Sequence, residues 1–223
     1  MKVALFVTCL ADLFFPEVGK SVVRVLEGQG VEVDVPLQQT CCGQPAYNSG
    51  YPEESREAAR HFVRMFAPYM DGEWVIVLPS GSCAAMIREV YPKLLADEPE
   101  RLELLLRIRG RVYEFSEFLV HCLGVERIAA AYPAKATVHH SCHMSRVLGL
   151  REEPLKVLEQ VQGLELVPLS NAEDCCGFGG TFAVKMPHIS TAMGEEKLQH
   201  IGETEADVVV TSDLGCLMHL SGL

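Results

Sequence analysis

The residues of this chain best suited to chemistry are its cysteines. Two Cys-Cys-Gly tripeptides occur, Cys41-Cys42-Gly43 and Cys175-Cys176-Gly177. Each has one cysteine well before it and one well after it: Cys9 and Cys83 in the first half, Cys142 and Cys216 in the second. The steps from 9 to 41 and from 142 to 175 are 32 and 33, and those from 41 to 83 and from 175 to 216 are 42 and 41. The pattern therefore recurs at an offset of 133 or 134, with eight of the nine cysteines in register. This is the mark of a duplicated module with four thiols per copy. Cys122 has no counterpart and reads as a buried apolar residue, a common fate of free cysteine.

Thiolate sulfur is a soft ligand that suits iron–sulfur clusters or zinc. Adjacent cysteines make a poor disulfide, because the bridge strains the peptide between them. As ligands they can serve two metal atoms of one cluster, or one cluster from two sides. Gly43 and Gly177 free the backbone to turn and approach an inorganic core. Structural zinc sites usually pair ligands about two to four residues apart, and this chain has no Cys-x-x-Cys. The closely spaced cysteine run of ferredoxins is missing too.

Short apolar runs precede these cysteines and must position them. Lys2 to Thr8 reads as a strand ending at Cys9, Val31 to Val35 as a strand before the first Cys-Cys pair, and Trp74 to Leu78 as a strand before Cys83. Residues 39–45, rich in turn formers, read as a loop. The second half repeats the order, with strands at Ala136 to His140, Leu164 to Leu169 and Ala206 to Val210. Helical periodicity fills the gaps at Pro16 to Glu27, Pro52 to Met70, Ala84 to Leu95, Pro99 to Ile108, Glu153 to Gln162 and Pro187 to Ile201. Arg111 to Phe115 reads as a further short strand, and Ser116 to His121 as the start of a helix. The fold class is α/β: two pseudo-symmetric lobes, each a mainly parallel sheet flanked by helices. The modules span residues 1–125 and 134–223 and are expected to pack as one unit. Ligands of such sheets gather beyond the carboxyl ends of the strands, where all six cysteine segments fall.

Composition narrows the function classes. The 223 residues are 48% hydrophobic and carry a formal net charge of −11. With no basic run and no basic–aromatic interleaving, nucleic acid is not an expected partner. No apolar stretch is long enough for a transmembrane helix, and the first residues lack the form of a secretory signal. The default location is cytoplasmic, where grouped thiols hold metal or do redox work rather than form disulfides. Gly177-Phe178-Gly179-Gly180 lacks the spacing of a nucleotide loop.

The stretches Cys9-Leu10-Ala11-Asp12-Leu13-Phe14-Phe15-Pro16, Gln39-Thr40-Cys41-Cys42-Gly43-Gln44-Pro45-Ala46, His140-Ser141-Cys142-His143, Cys175-Cys176-Gly177-Phe178-Gly179-Gly180-Thr181-Phe182 and Ser212-Asp213-Leu214-Gly215-Cys216 carry a resemblance. They are similar to the cysteine-rich CCG-domain family, and within it to the branch of the lactate-utilisation A proteins, over nearly the whole chain. The resemblance implies one or two iron–sulfur clusters, of the 4Fe–4S kind. Their ligands are Cys9, Cys41, Cys42 and Cys83 in one site and Cys142, Cys175, Cys176 and Cys216 in the other. It implies an electron-transfer subunit of a cytoplasmic complex oxidising L-lactate to pyruvate, not active alone. Its two partner subunits are a ferredoxin-like iron–sulfur protein and a LutC-like protein. The family also includes heterodisulfide reductase B, whose modules end in Cys-x-x-Cys; here Ser80 and Asp213 stand three residues before Cys83 and Cys216. That departure sets the sites apart from the unusual non-cubane cluster of that protein and leaves open a conventional four-iron cluster, zinc in one site, or an oxygen ligand from Ser80 or Asp213. The alternative functions are a thiol–disulfide redox subunit like heterodisulfide reductase B and a zinc-held structural or assembly protein. The bland reading of Ser80 and Asp213 is a turn or helix cap.

The halves differ chemically. At an offset of 133, His139, His140, His143 and Arg146 fall opposite Phe6, Val7, Leu10 and Leu13. His140 and His143 are the candidate catalytic residues, and Gly43, Gly177, Gly179 and Gly180 the candidate backbone contacts to a cofactor. The second site is expected to be the reactive one. His61, His121, His188, His200 and His219 lie on helical patterns and read as surface or satisfied groups, and Glu53-Glu54 and Glu195-Glu196 as solvated helix faces.

Overall fold

The structure is a computed structural model that describes residues 1–223. Two compact units divide the chain, Met1–Phe115 and Ser116–Leu223. Residues 116–125, assigned to the first module on sequence, lie in the second unit by this division.

The first unit runs β1 (Lys2–Leu5), α1 (Cys9–Phe14), α2 (Pro16–Gly28), β2 (Glu32–Asp34), α3 (Gln44–Asn48), α4 (Pro52–Phe66), β3 (Trp74–Leu78), α5 (Gly81–Ala85), α6 (Tyr91–Leu94), α7 (Pro99–Arg109) and β4 (Val112–Glu114). Its four strands are all parallel, in the order β2-β1-β3-β4. Val3, Ala4, Leu5 and Phe6 are buried against Ile76, Val77 and Leu78 of the neighbouring strand. Phe62 and Phe66 of α4 close over them, with Phe6 edge-on to both at 5.5 and 6.0 Å. Each buried ring of this kind contributes about 1.5–3 kcal/mol of apolar burial.

The second unit opens with α8 (Phe115–Glu117), which begins at the boundary, and continues with β5 (Ala131–Val138), α9 (Glu152–Leu158), β6 (Gln162–Leu166), α10 (Thr181–Lys185), α11 (Pro187–Gly202), β7 (Val208–Val210) and α12 (Leu214–Ser221). Its sheet is also parallel, in the order β6-β5-β7. This repeats β2-β1-β3, so the duplication read from the cysteines is present in the topology. In both sheets the chain goes from the central strand to one side and then returns to the other. The crevice such a reversal creates at the carboxyl ends is where α/β sheets bind ligands.

Several boundaries differ from the sequence reading. The first strand stops at Leu5 rather than at Cys9, because Gln39 takes over the backbone: Val7 N–H donates to Gln39 Oε1 at 2.8 Å and Gln39 Nε2 donates to Leu5 O at 2.6 Å. Cys9 is thus the first residue of α1. The expected loop at 39–45 turns into α3 at Gln44, with Pro45 in the first turn, where no N–H is needed. The helix after Cys83 is not uniform: a wider turn, Met86–Val90, precedes Pro92, whose missing N–H cannot bond back to the preceding turn. β5 starts five residues early, at Ala131, and carries Pro133 in an irregular stretch of its pairing with β6. It ends at Val138, short of His140. No helix is long and apolar enough to cross a membrane.

Candidate metal centres

In each unit the three chain segments that follow the three adjacent strands bring four thiols together. In the first, Cys9 Sγ lies 3.5 Å from Cys41 Sγ, and Cys42 Sγ lies 3.3 Å from Cys83 Sγ. Cys9 and Cys41 are half-buried; Cys42 and Cys83 are buried. The second unit repeats this gradient, with Cys142 and Cys175 half-buried and Cys176 and Cys216 buried.

The glycine after each pair holds a left-handed backbone, φ 80° at Gly43 and 90° at Gly177. That turn aims the Gly43 amide at Cys41 Sγ and the Gly177 amide at Cys175 Sγ, both at 3.4 Å. A serine then clamps each loop: Ser55 Oγ donates to Gly43 O at 2.9 Å and Ser190 Oγ to Gly177 O at 2.8 Å. The first loop is tied further by the buried Tyr91 hydroxyl, which donates to Cys42 O at 2.8 Å. Neither serine nor Tyr91 was singled out on sequence. The serines were findable, since they stand 12 and 13 residues beyond the glycines of the repeat.

The same polarity develops in both thiol groups. Hydrogen bonds from Cys42 and Cys9, then the Gly43 amide, pull the Cys41 thiol well below the usual range. Cys9 and Cys42 are pushed up, first by the sulfur of Cys41. Cys175 is likewise pulled down to about 2 by Cys142 and Cys176, which are themselves pushed up. Four sulfurs per group, one of them receiving an amide N–H that favours its thiolate form, are a donor set that fits a thiolate-bound metal or cluster.

Ser80 fills the bland role: it caps α5, its Oγ accepting from the Cys83 amide at 3.2 Å. Asp213 precedes α12, but its carboxylate accepts from the Ser141 hydroxyl instead of capping. Cys122, expected to be buried, is half-buried at the end of the turn Phe118–Cys122.

Buried polar residues of the second unit include His139, Ser141, Ser145, Lys197 and Asp213; those of the first include Thr8, Ser55 and Ser80. His143 is half-buried, with Nδ1 3.6 Å from Cys142 Sγ. His140 is also half-buried; its amide donates to Ala172 O at 3.2 Å, and burial pushes its imidazole pKa down. His139 is buried to 1% exposure, and burial, then Lys197, lowers its pKa to about 4. A ring nitrogen of His139 and the sulfurs of Cys176 and Cys216 all lie within 4.8 Å of one another. A cavity of about 250 Å³ opens beside Cys175, lined also by Arg146, Asp174, Glu196, Lys197 and His200. Gly179 and Gly180 carry the loop into α10 with φ of 51° and 62°. His61, His121 and His219 have structural partners in Gln38 O, Glu153 and Ser190.

A family described as "Cysteine-rich domain", CCG, matches residues 3–88 and again 136–221. This chain belongs to the CCG family. The two matches cover the two thiol groups, and they leave out residues 89–135, which hold α6, α7, β4, α8 and the first part of β5. Full-length relatives are also found. The chain is 54% identical over 222 residues to "Lactate utilization protein A" of Geobacillus thermodenitrificans, covering 100% of this chain and 91% of the relative. It is 55% identical, with the same coverage, to the protein of that name from Shouchella clausii. It is 50% identical to "Lactate utilization protein A 2" of Bacillus cereus strain Q1, covering 90% of that relative.

Proposed function

We propose that this CCG protein is the iron–sulfur electron-transfer subunit of a cytoplasmic complex that oxidises L-lactate to pyruvate. The observation that carries the reading is the pair of four-thiol groups at equivalent sheet ends, each with a glycine amide donating to one sulfur. The names of its relatives supply the substrate. Cys9, Cys41, Cys42 and Cys83 hold one centre; Cys142, Cys175, Cys176 and Cys216 hold the other. Iron–sulfur clusters bound there supply one-electron carriers. Conversion of lactate to pyruvate releases two electrons and two protons, and this chain carries the electrons.

The protein's own residues do the rest. The amides of Gly43 and Gly177 donate to Cys41 and Cys175 and stabilise negative charge on those sulfurs. Buried aromatic rings back the first centre: Phe62 packs edge-on to Tyr91 at 5.6 Å, and the Tyr91 hydroxyl holds Cys42 O. At the second, His143 beside Cys142 gives a polar edge, and the cavity at Cys175 gives access; His140, two residues before Cys142, is proposed to act with them. The loop Gly179-Gly180 leaves backbone open to a partner. The partners proposed are a ferredoxin-like iron–sulfur protein and a LutC-like protein.

The test is lactate-dependent bleaching of visible absorbance in the anaerobically purified protein, with and without those partner subunits. Bleaching only in their presence is the expected result. Absorbance that no combination of lactate and partners changes overturns the lactate role. Bleaching by a disulfide-forming thiol pair instead would favour the thiol–disulfide reading, to which the cavity at Cys175 is also suited.

A further inference from the structure

We propose that His139 is a metal ligand of the second centre, giving it a nitrogen donor that the first centre does not have. This rests on the reading that the second thiol group holds a metal or cluster.

The two modules can be superposed residue by residue at this point through their hydrogen bonds. In the first unit the Phe6 amide donates to Val77 O at 2.9 Å, extending the β1–β3 pairing by one residue. In the second, the His139 amide donates to Val210 O at 2.9 Å, extending β5–β7 in the same way. Both side chains are buried, at 1% exposure. Phe6 uses its ring for packing against Phe62 and Phe66. His139 puts an imidazole into the same place, and neither of its ring nitrogens has a hydrogen-bond partner.

A buried polar group with no partner costs about 1–3 kcal/mol, and such groups in native folds call for an explanation, a bound ion among them. Two nitrogens are orphaned here, at a position where an aromatic hydrocarbon ring would serve packing at no such cost. What faces the ring is a pair of sulfurs: a ring nitrogen, Cys176 Sγ and Cys216 Sγ lie within 4.8 Å of one another. Imidazole nitrogen and thiolate sulfur are the two donors most often combined around zinc. They are also combined at iron–sulfur centres, where nitrogen in place of sulfur raises the reduction potential.

The experiment uses the full chain labelled with ¹⁵N-histidine, purified without oxygen and reconstituted with iron and sulfide. If metal analysis finds zinc, cobalt(II) is substituted. An iron–sulfur form is reduced by one electron with dithionite to make it paramagnetic, a cobalt(II) form is used as it stands, and pulsed electron paramagnetic resonance then reads nitrogen coupling to the metal. The expected result is strong coupling that changes with the isotope, is lost in His139→Phe, and persists in His143→Ala. Because the labelled wild-type protein is itself informative, a folding defect in His139→Phe does not blur the outcome. Metal in both centres with no directly bonded histidine nitrogen overturns the inference and leaves the metal reading standing. So does coupling that vanishes in His143→Ala but survives in His139→Phe. A second thiol group that takes up no metal overturns both.

Discussion

Gly177 is the sharpest point at which the fold of a thiol group can be tested by a single atom. An added Cβ at Gly177 would lie 2.3 Å from the backbone oxygen of Ser190, at a φ of +90°. That oxygen belongs to α11 and cannot rotate away, so either the helix or the loop carrying Cys175 and Cys176 must shift. The equivalent atom at Gly43 would lie 3.0 Å from Ala58 Cβ and 3.1 Å from Ser55 Cα, at a φ of +80°. Gly30, at φ +76° with nothing within 4 Å, isolates the backbone term. A left-handed non-glycine residue costs about 1–2 kcal/mol, and overpacking adds about 1–3 kcal/mol. Gly30→Ala should therefore cost about 1–2 kcal/mol, Gly43→Ala somewhat more, and Gly177→Ala about 2–5 kcal/mol. The last is a large share of the roughly 5–15 kcal/mol that holds a domain folded. Urea unfolding followed by circular dichroism on the metal-free protein gives the order, and metal content of the second centre should fall in Gly177→Ala alone. The reasoning is refuted if Gly177→Ala unfolds at the same urea concentration as Gly30→Ala and keeps its metal.

Other outcomes follow from the same geometry. In metal-free protein, His139 is neutral in the fold down to about pH 4 but titrates near 6.5 when unfolded. Its contribution is thus complete above pH 6.5 and declines as pH falls toward 4, by roughly 3 kcal/mol; His139→Phe should flatten that slope in acid unfolding curves, and an unchanged slope would contradict the burial argument. Ser80→Ala should lose about 1 kcal/mol of stability through the α5 cap while leaving metal content intact, whereas loss of metal would make Ser80 a ligand. Serine substitutions at Cys175 or Cys176 should reduce electron transfer more than those at Cys41 or Cys42, measured as the rate of partner-dependent reduction. Equal losses would count against a more reactive second centre.

Much of this was legible in the sequence because the cysteines are spaced by the fold itself. Each lies after a strand, and Trp74–Leu78 was read to the residue because a continuous apolar run bounded by Gly72 and Pro79 admits little else. The parallel sheets and the order of elements followed from the alternation of apolar strands with helices, and the duplication from the cysteine spacing. The misplaced boundaries arose from tertiary hydrogen bonds without a local signature: Gln39 ends β1 from more than thirty residues away. Cys122 looked like core because free cysteines usually are, yet the turn at 118–122 leaves it half-buried. His139 was visible as a polar residue opposite Phe6, but nothing in the sequence told that both its nitrogens would be buried without partners. Lys197, 1% exposed with Nζ donating to Asn171 O, gave no signal, since it lies in a helix whose neighbours Glu195 and Glu196 are exposed.

The most direct measurement is iron, zinc and acid-labile sulfide per chain on protein purified without oxygen, with an absorption spectrum alongside. The account predicts about four or eight irons with matching sulfide, for one or two four-iron clusters. Zinc without sulfide in both thiol groups would contradict it and make the protein a zinc-held structural component.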